Sequence, residues 1–148
     1  RDPTACVVLG LWKDEANVTQ AVCVESWEEV GRSTAVIAAK LRETINKWNA
    51  ECVYIDAAAA QTKYDLAEIY DISCINAQKA IIEGVSFMNM LIDANRLVIL
   101  DECVLLIQAV RNITWDTKAE REKLVHNRYI HLIDALRYAA YTHRHEMM

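Results

Sequence analysis

The alternation of apolar and polar segments predicts a β-hairpin at the start of the chain, followed by a helix. Residues 5–12 (ACVVLGLW) and residues 18–27 (VTQAVCVESW) are apolar, extended segments on either side of the polar turn KDEAN. Such a pair indicates two antiparallel strands. Ser33 is a suitable N-cap for a helix that reaches about Trp48, because the apolar residues beyond it recur at helical spacing.

Shorter strands and helices alternate through the rest of the chain. Residues 52–55 (CVYI) form a continuous apolar run, typical of a strand that is buried on both faces. The run ends at Asp56, and SCINA is a further candidate strand. The remaining predicted elements are helices at about 61–70 and 81–95, a short extended segment RLVIL, an amphipathic helix from Cys103 to Ile113, a polar loop at 116–128 and a closing helix in RYIHLIDALRYAAYTH.

This order of elements predicts an α/β fold with three layers. A hairpin followed by alternating helices and strands is typical of a mixed central sheet flanked by helices. No internal repeat, low-complexity tract or linker divides the sequence, so we expect a single domain over residues 1–148. Ligands of open sheets bind at the carboxyl ends of central strands, and Asp56 occupies such a position.

Composition indicates a compact globular domain. Hydrophobic residues make up 53% and charged residues 25% of the 148 residues, with only three Gly and one Pro. No apolar run approaches the roughly 18–20 residues that a membrane span needs. The five cysteines are odd in number, widely spaced and without a CxxC pair, so we expect buried free thiols in a reducing compartment.

The net charge of −5 lowers the expectation of a nucleic-acid partner, because phosphate binding usually leaves a basic surface. It does not exclude nucleases that depend on divalent cations. Such cations can bridge a cluster of carboxylates to a phosphate group.

Three residues carry the candidate chemistry. Asp56 precedes four alanines, whose small side chains would let a ligand or a helix approach closely. His131 and Asp134 are three residues apart and share one face of the closing helix. Each has a structural alternative, namely Asp56 as a helix N-cap and His131 with Asp134 as a hydrogen-bonded pair in the core. The weaker candidates are the histidines of the polar loop and of a fraying C-terminus: His126, His143 and His145.

The motifs that are missing narrow the chemistry further. The sequence contains no GxxxxGKS/T, GxGxxG or GxSxG, which removes the obvious ATP-binding, dinucleotide-binding and hydrolase interpretations. Cys52 and Cys74 are poor candidate nucleophiles, because both lie in apolar, strand-like segments. A strand-end carboxylate with a helix-borne carboxylate and imidazole suits Mg²⁺ or Mn²⁺. Two such ions support phosphodiester cleavage, and their site needs at least one further carboxylate.

Four segments of the sequence, in order, resemble a known family. They are VYIDAAAA, INAQKAIIEGVSFMNMLI, an amphipathic helix ending in ITWD, and HNRYIHLIDALRYA. Together they resemble the C-terminal nuclease domain of the large terminase subunit of tailed bacteriophages, over nearly the whole chain and most specifically in HLIDALRYA. The resemblance implies a ribonuclease H-like fold, similar to that of resolvases, and a metal-dependent endonuclease that cuts concatemeric double-stranded DNA during genome packaging.

The resemblance also implies roles for individual residues. Asp56 matches the metal ligand on the second of the family's catalytic strands, Asp134 matches the ligand on the C-terminal helix, and His131 matches the residue beside it. Two Mg²⁺ or Mn²⁺ ions are the implied cofactors. Lys79 and Arg128 are the expected contacts to DNA.

The start of the chain departs from the family pattern. The family carries its first catalytic Asp on a strand shortly before the turn that matches DPT, so we expect that residue and the ATPase domain to be missing from this chain. Asp2 is expected to be a turn residue and at most a peripheral carboxylate. The implied partners are double-stranded DNA, the terminase ATPase domain, the small terminase subunit and the portal protein, in the cytoplasm of the infected bacterial host.

Two alternatives to the terminase endonuclease remain. The ending DALRYAAYTH is also similar to that of Holliday-junction resolvases, which would prefer four-way junctions to linear duplex. The negative charge and the expected loss of the first-strand Asp instead favour an assembly or docking domain whose metal site is weakened.

Overall fold

The computed structural model of the chain describes residues 3–113 and 128–148. Its elements, in chain order, are β1 (Thr4–Lys13), β2 (Thr19–Glu29), α1 (Thr34–Trp48), β3 (Tyr54–Ile55), α2 (Ala60–Glu68), β4 (Ile75–Asn76), α3 (Ile81–Asp93), β5 (Leu97–Ile99), α4 (Val104–Asn112) and α5 (Ile130–Thr142), with a short 3-10 helix at Arg144–Glu146. This order confirms the predicted hairpin and the predicted alternation of helices and strands.

The described strands form two separate sheets. In the first, of order β1-β2-β5, β1 and β2 are antiparallel and β2 pairs in parallel with β5. The β1–β2 register begins with Thr4 opposite Glu29 and contains a bulge between Val8 and Leu9. The second sheet consists of β3 and β4, which pair in parallel. The fold is therefore mixed, as predicted, but its sheet is divided.

Helix α1 begins and ends where the sequence predicts. The Ser33 side chain accepts a hydrogen bond from the Val36 N–H (3.3 Å), and Asn49 ends the helix in the left-handed conformation with φ 51°. On the inner face of α1, Thr44 accepts a hydrogen bond from the indole N–H of the buried Trp27 (3.1 Å). This bond satisfies a buried polar group and ties α1 to β2.

Two apolar clusters support the two sheets. The larger one packs helices α3, α4 and α5 against the first sheet, and Leu91, Leu106 and Ala140 within it have no exposed surface. The smaller one joins α1, α2 and the second sheet. Its buried residues are Ala38, Leu66 and Ile72.

A groove of about 830 Å³ separates the two sheets. Its walls include β1 and β3, each of which has a neighbouring strand on one edge only within the described chain. Helix α5 lines the groove through Asp134, Ala135 and Tyr138. The groove is therefore bordered by two strand edges whose outward N–H and C=O groups are available for pairing.

Two predictions about burial are wrong. The run at 52–55 is not a strand buried on both faces, because only Tyr54 and Ile55 pair and Cys52 is exposed. The physical reason is that all four residues of the run line the groove, which leaves part of their surface uncovered. All five cysteines are free, as expected, but only Cys23 and Cys103 are buried.

The C-terminus does not fray as the sequence suggested. Met147 is 1% exposed and belongs to the larger apolar cluster, and its carbonyl accepts a hydrogen bond from Arg96. His143 contacts the Tyr54 hydroxyl and the Glu146 carboxylate. Burial of a single apolar side chain at the end of the chain thus fixes the turn that follows α5.

Some predictions concern residues outside the described ranges. The polar loop predicted at 116–128 is described only at Arg128, and His126 and Asp2 also lie outside these ranges. Among the described residues, no helix combines the length and the apolar character that crossing a membrane requires.

Candidate functional site

Asp56 lies directly after β3 and forms a turn with its own backbone. Its Oδ1 atom accepts a hydrogen bond from the Ala58 N–H (2.9 Å) and another from the Lys79 ammonium (2.7 Å). The N-cap residue of α2 is Ala59, so the interpretation of Asp56 as a helix N-cap is wrong. The Asp56 side chain keeps 36% of its surface exposed and borders the groove, where a ligand can reach it.

Hydrogen bonds keep the Asp56 carboxyl group ionised. Partial burial by itself raises its pKa, but the hydrogen bonds from Lys79 and from the Ala58 N–H outweigh that effect and hold the pKa below its usual range. Asp56 is therefore a carboxylate, the form that binds cations, at every pH near neutrality.

Asp134 lies on the groove side of α5, where its side chain is 30% exposed. Its Oδ1 atom accepts a hydrogen bond from the guanidinium of Arg137 (2.9 Å), which is 4% exposed. The partner that neutralises Asp134 is thus an arginine one turn further along the helix, a contact that the sequence-based pairing of Asp134 with His131 did not anticipate.

Tyr138 connects the two carboxylates. Its hydroxyl donates to Asp56 Oδ2 across 3.4 Å, a long contact, and its ring lies on α5 one turn after Asp134. Burial, followed by the negative charges of Asp134 and Asp56, raises the pKa of Tyr138 to about 12. Asp56, Asp134 and Tyr138 all line the groove, and the Tyr138 hydroxyl reaches from α5 to Asp56.

His131 also lines the groove, one turn before Asp134. Its charge interacts with Glu28 on β2, whose pKa is raised mainly by burial and is lowered again in part by His131. The Oε1 atom of Glu28 is buried and has no hydrogen-bond partner among the described residues. The structure thus brings the three predicted residues, Asp56, His131 and Asp134, to one groove and adds Glu28 beside His131.

A second polar chain crosses the groove near the end of α5. The Tyr54 hydroxyl and His143 Nδ1 are 2.6 Å apart, and His143 Nε2 is 2.8 Å from Glu146 Oε2. Tyr54 is on β3, two residues before Asp56, so this chain of contacts attaches the strand that carries Asp56 to the end of the helix that carries Asp134.

Three cations surround the segment that follows β4, and we call them the basic rim: Lys63, Lys79 and Arg144. The Lys63 ammonium is 2.8 Å from Asn76 Oδ1, and an Arg144 guanidinium nitrogen is 2.7 Å from Gln78 Oε1. Lys79 reaches Asp56 from the same segment. The basic rim therefore gives an acidic chain a local positive edge, which reaches Asp56 through Lys79.

Comparison with known proteins identifies the family of the chain. A family profile described as Terminase RNaseH-like domain matches residues 1–142. The chain belongs to this family. The large terminase subunit of Escherichia phage T5 is 31% identical over 147 residues, which cover 96% of this chain and 33% of the relative. The chain thus spans about a third of the length of that relative.

Solved structures of large terminases share the fold. A large terminase from a thermophilic bacteriophage has a TM-score of 0.83 at 21% identity, over 97% of this chain and 36% of that one. The large terminase nuclease domain of bacteriophage SPP1, solved with bound Mn, has a TM-score of 0.67 at 21% identity, over 95% of this chain and 78% of that one. At these identities the likeness concerns the fold, and it confirms the predicted ribonuclease H-like class.

Two carboxylates of the groove, Asp56 and Asp134, are candidate metal ligands. The described residues of the chain include no group of three His, Cys, Asp or Glu side chains close enough to hold an ion. Asp56 and Asp134 nonetheless offer oxygen donors of the kind that Mg²⁺ and Mn²⁺ prefer. The Lys79 ammonium occupies one oxygen of Asp56 in this structure. The two carboxylates therefore fit a divalent metal, with further ligands still to be supplied.

The two predicted DNA contacts of the terminase domain differ in position. Lys79 is 44% exposed and belongs to the basic rim. Arg128 precedes α5, where its guanidinium contacts the Tyr129 hydroxyl (2.7 Å) and lies over the Tyr129 ring. Neither side chain lines the groove itself, and Lys79 reaches it through its contact with Asp56.

Sequence analysis missed four residues that contact the site or its supports: Glu28, Tyr54, Arg137 and Tyr138. Tyr138 is four residues after Asp134 and Tyr54 is two residues before Asp56, so helical and strand periodicity could have identified both. Glu28 and Arg137 carry no such signal, since their roles depend on which elements pack together.

Replacing Lys79 with Met tests the electrostatic account of Asp56. The change removes a positive charge and a hydrogen bond while keeping the apolar stem, so we expect the Asp56 pKa to rise from its lowered value. Titration of the side-chain carboxyl by ¹³C NMR measures this directly. The control Lys47→Met removes an exposed lysine that pairs with Glu25 (2.9 Å) and should leave Asp56 unchanged, whereas an unshifted Asp56 in Lys79→Met would contradict the account.

Proposed function

We propose that this chain is the metal-dependent endonuclease domain of a phage large terminase, and that it cleaves concatemeric double-stranded DNA during genome packaging. The observation that carries the proposal is the shared location of Asp56 and Asp134. Two carboxylates, one from a strand end and one from the last long helix, line the same groove in a chain of the terminase family.

The proposed cofactors are two Mg²⁺ or Mn²⁺ ions. Asp56 and Asp134 would hold them, with His131 ligating one ion or orienting Asp134. The SPP1 nuclease domain, which has this fold, binds Mn. When bound, the cations would supply the positive charge that activates water and stabilises the leaving oxygen of a phosphodiester. The carboxylates of the chain would hold the cations in place.

The third carboxylate of the site would come from a strand seated in the groove between the sheets. The outward edges of β1 and β3 border this groove, and an extended segment between them could bond to both. Such a strand would convert the two sheets into one. Its side chains on one face would point toward α5, where Asp134 lies.

The basic rim is the proposed contact to the DNA backbone. Lys79 contacts Asp56, and Lys63 and Arg144 contact the same segment as Lys79, although the chain has a net charge of −5. Cations at this edge would bind phosphates on either side of the scissile bond. Arg128 is a further proposed contact to DNA, and Asp2 would be at most a peripheral carboxylate near the metal ions.

The wider assembly is proposed from the family. The T5 relative is a large terminase subunit about three times as long as this chain, so further domains accompany this one there. We propose that the domain works with a terminase ATPase domain, the small terminase subunit and the portal protein, in the cytoplasm of the infected bacterial host.

Thermal unfolding in the presence of Mn²⁺ tests the metal site on the chain itself. A cation that binds only the folded state stabilises it by about 1.4 kcal/mol at tenfold excess over the Kd, which corresponds to a Tm increase of roughly 3–5 °C for a domain of this size. We expect this increase for the wild type and its loss in Asp56→Asn.

Asp101→Asn is the matched control, because Asp101 is exposed and distant in sequence from both carboxylates, and it should respond to Mn²⁺ like the wild type. A wild type that shows no increase at millimolar Mn²⁺ would favour the docking-domain alternative. An Asp56→Asn variant that responds fully would place the metal elsewhere.

Amide hydrogen exchange tests whether the additional strand binds in the groove between β1 and β3. We expect residues 4–13 and 53–56 to exchange more slowly once the segment that precedes the matched region of the T5 relative is grafted ahead of Arg1, because the strand would occupy their free edges. The control graft carries Pro at its centre, which cannot donate to a central ladder. Equal exchange rates of these residues with both grafts would refute the proposed position of the strand. A preference of the grafted protein for four-way junctions would favour the resolvase alternative.

A further inference from the structure

A single buried arginine, Arg137, links the two carboxylates of the proposed metal site, Asp134 and Asp56. Arg137 is 4% exposed, although burial of a charge is costly unless it is paired and hydrogen-bonded. Its Nη2 atom donates to Asp134 Oδ1 (2.9 Å), and its Nη1 atom donates to the carbonyls of Lys79 (2.7 Å) and Ala80 (3.2 Å). The guanidinium therefore holds α5 and the start of α3 at the same time.

The other end of this link reaches Asp56. Lys79, whose carbonyl binds Arg137, places its ammonium 2.7 Å from Asp56 Oδ1. Tyr138, the neighbour of Arg137, has its ring under the guanidinium (5.0 Å) and its hydroxyl near Asp56 Oδ2. Two short paths thus run from Asp134 to Asp56, and both pass through or beside Arg137.

A glycine in helix α3 leaves the space that the Arg137 side chain occupies. Gly84 is buried opposite the Arg137 stem, and a Cβ atom at position 84 would lie 2.7 Å from Arg137 Cγ and 2.9 Å from Cδ. Those distances are too short for ordinary contact, so any larger residue at 84 would displace the stem. The conformation of Arg137 is therefore imposed by the packing of α3 on α5, in addition to its hydrogen bonds.

We propose that Arg137 is a positioning residue that sets the placement of Asp134 and Asp56 for metal binding. It is too deeply buried to reach DNA, and it acts through Asp134 and through the Lys79 segment. A guanidinium is required because only its planar fork can bind a carboxylate and two carbonyls in fixed directions, whereas an ammonium offers one point charge. The inference rests on the proposed metal site.

The variant Arg137→Lys retains the positive charge but removes the planar guanidinium group. Loss of a partner that orients a metal ligand typically weakens metal binding about 10- to 100-fold, and we expect a weakening of that size in Mn²⁺ affinity measured by water-proton relaxation. Arg42→Lys is the matched control. Arg42 also donates to two backbone carbonyls, those of Tyr70 and Asp71, but it lies away from both carboxylates and should leave the affinity unchanged.

A second readout needs no metal. The Ala58 N–H donates to Asp56 Oδ1, so its NMR chemical shift reports the placement of that carboxylate. We expect the Ala58 amide resonance to move in Arg137→Lys, although residues 58 and 137 do not touch, and to stay in place in Arg42→Lys. An arginine that merely packs α3 on α5 would lower the Tm and leave the Ala58 resonance unmoved.

Gly84→Ala provides a variant that changes no polar group. Alanine is the better helix former, so this substitution would stabilise α3 if Arg137 did not obstruct it. We expect the same loss of Mn²⁺ affinity and the same movement of the Ala58 resonance, whereas Ser86→Ala on the exposed side of α3 should change neither.

The outcomes separate this inference from the proposed function. An Ala58 resonance that stays in place in folded Arg137→Lys and Gly84→Ala would overturn the positioning role, whatever the metal does. A wild type that binds no Mn²⁺ would overturn the metal site, while movement of the Ala58 resonance would still support the role of Arg137 in placing the carboxylates.

Discussion

Helix α5 packs against β1 and β2 of the first sheet and against β3 of the second, and so it joins two sheets that are separate in the described chain. One side of α5, with Leu132, Leu136 and Ala140, is buried in the larger apolar core. The other side carries Asp134 and Tyr138 into the groove. Because one rigid helix serves both purposes, the burial of its apolar face determines where the Asp134 carboxylate stands relative to Asp56.

The charges around the groove are balanced locally, although the chain as a whole is acidic. Asp56 is paired with Lys79 from the segment between β4 and α3, and Asp134 is paired with Arg137 one turn further along α5. Lys79 is 44% exposed and can leave its partner at little cost, since exposed ion pairs contribute little to stability. Arg137 is buried, so it cannot leave Asp134 at little cost. One carboxylate is thus held by an exchangeable cation and the other by a permanent one, an arrangement suited to a site that takes up metal and still keeps its shape.

Local patterns in the sequence predicted the elements and the two carboxylates but not the connections between them. The hairpin is long and regular, and the Ser33 cap lies within one turn of the residue it bonds, so short-range rules identified both. Asp56 followed from its position after an apolar run. The Asp134–Arg137 pair, the Tyr54–His143 contact and the exposure of Cys52 depend on which elements pack together and on a groove where a strand edge stays open. Such features arise from tertiary packing, which spacing along the chain does not encode.

Anomalous diffraction from a crystal of the chain soaked in Mn²⁺ tests the central claim most directly. The account predicts a Mn peak within coordination distance of both Asp56 and Asp134, at the part of the groove that Tyr138 marks, with the Lys79 ammonium displaced from Asp56. A Mn peak elsewhere on the molecule, or an Asp56 that remains bound to Lys79 with no Mn beside it, would contradict the account.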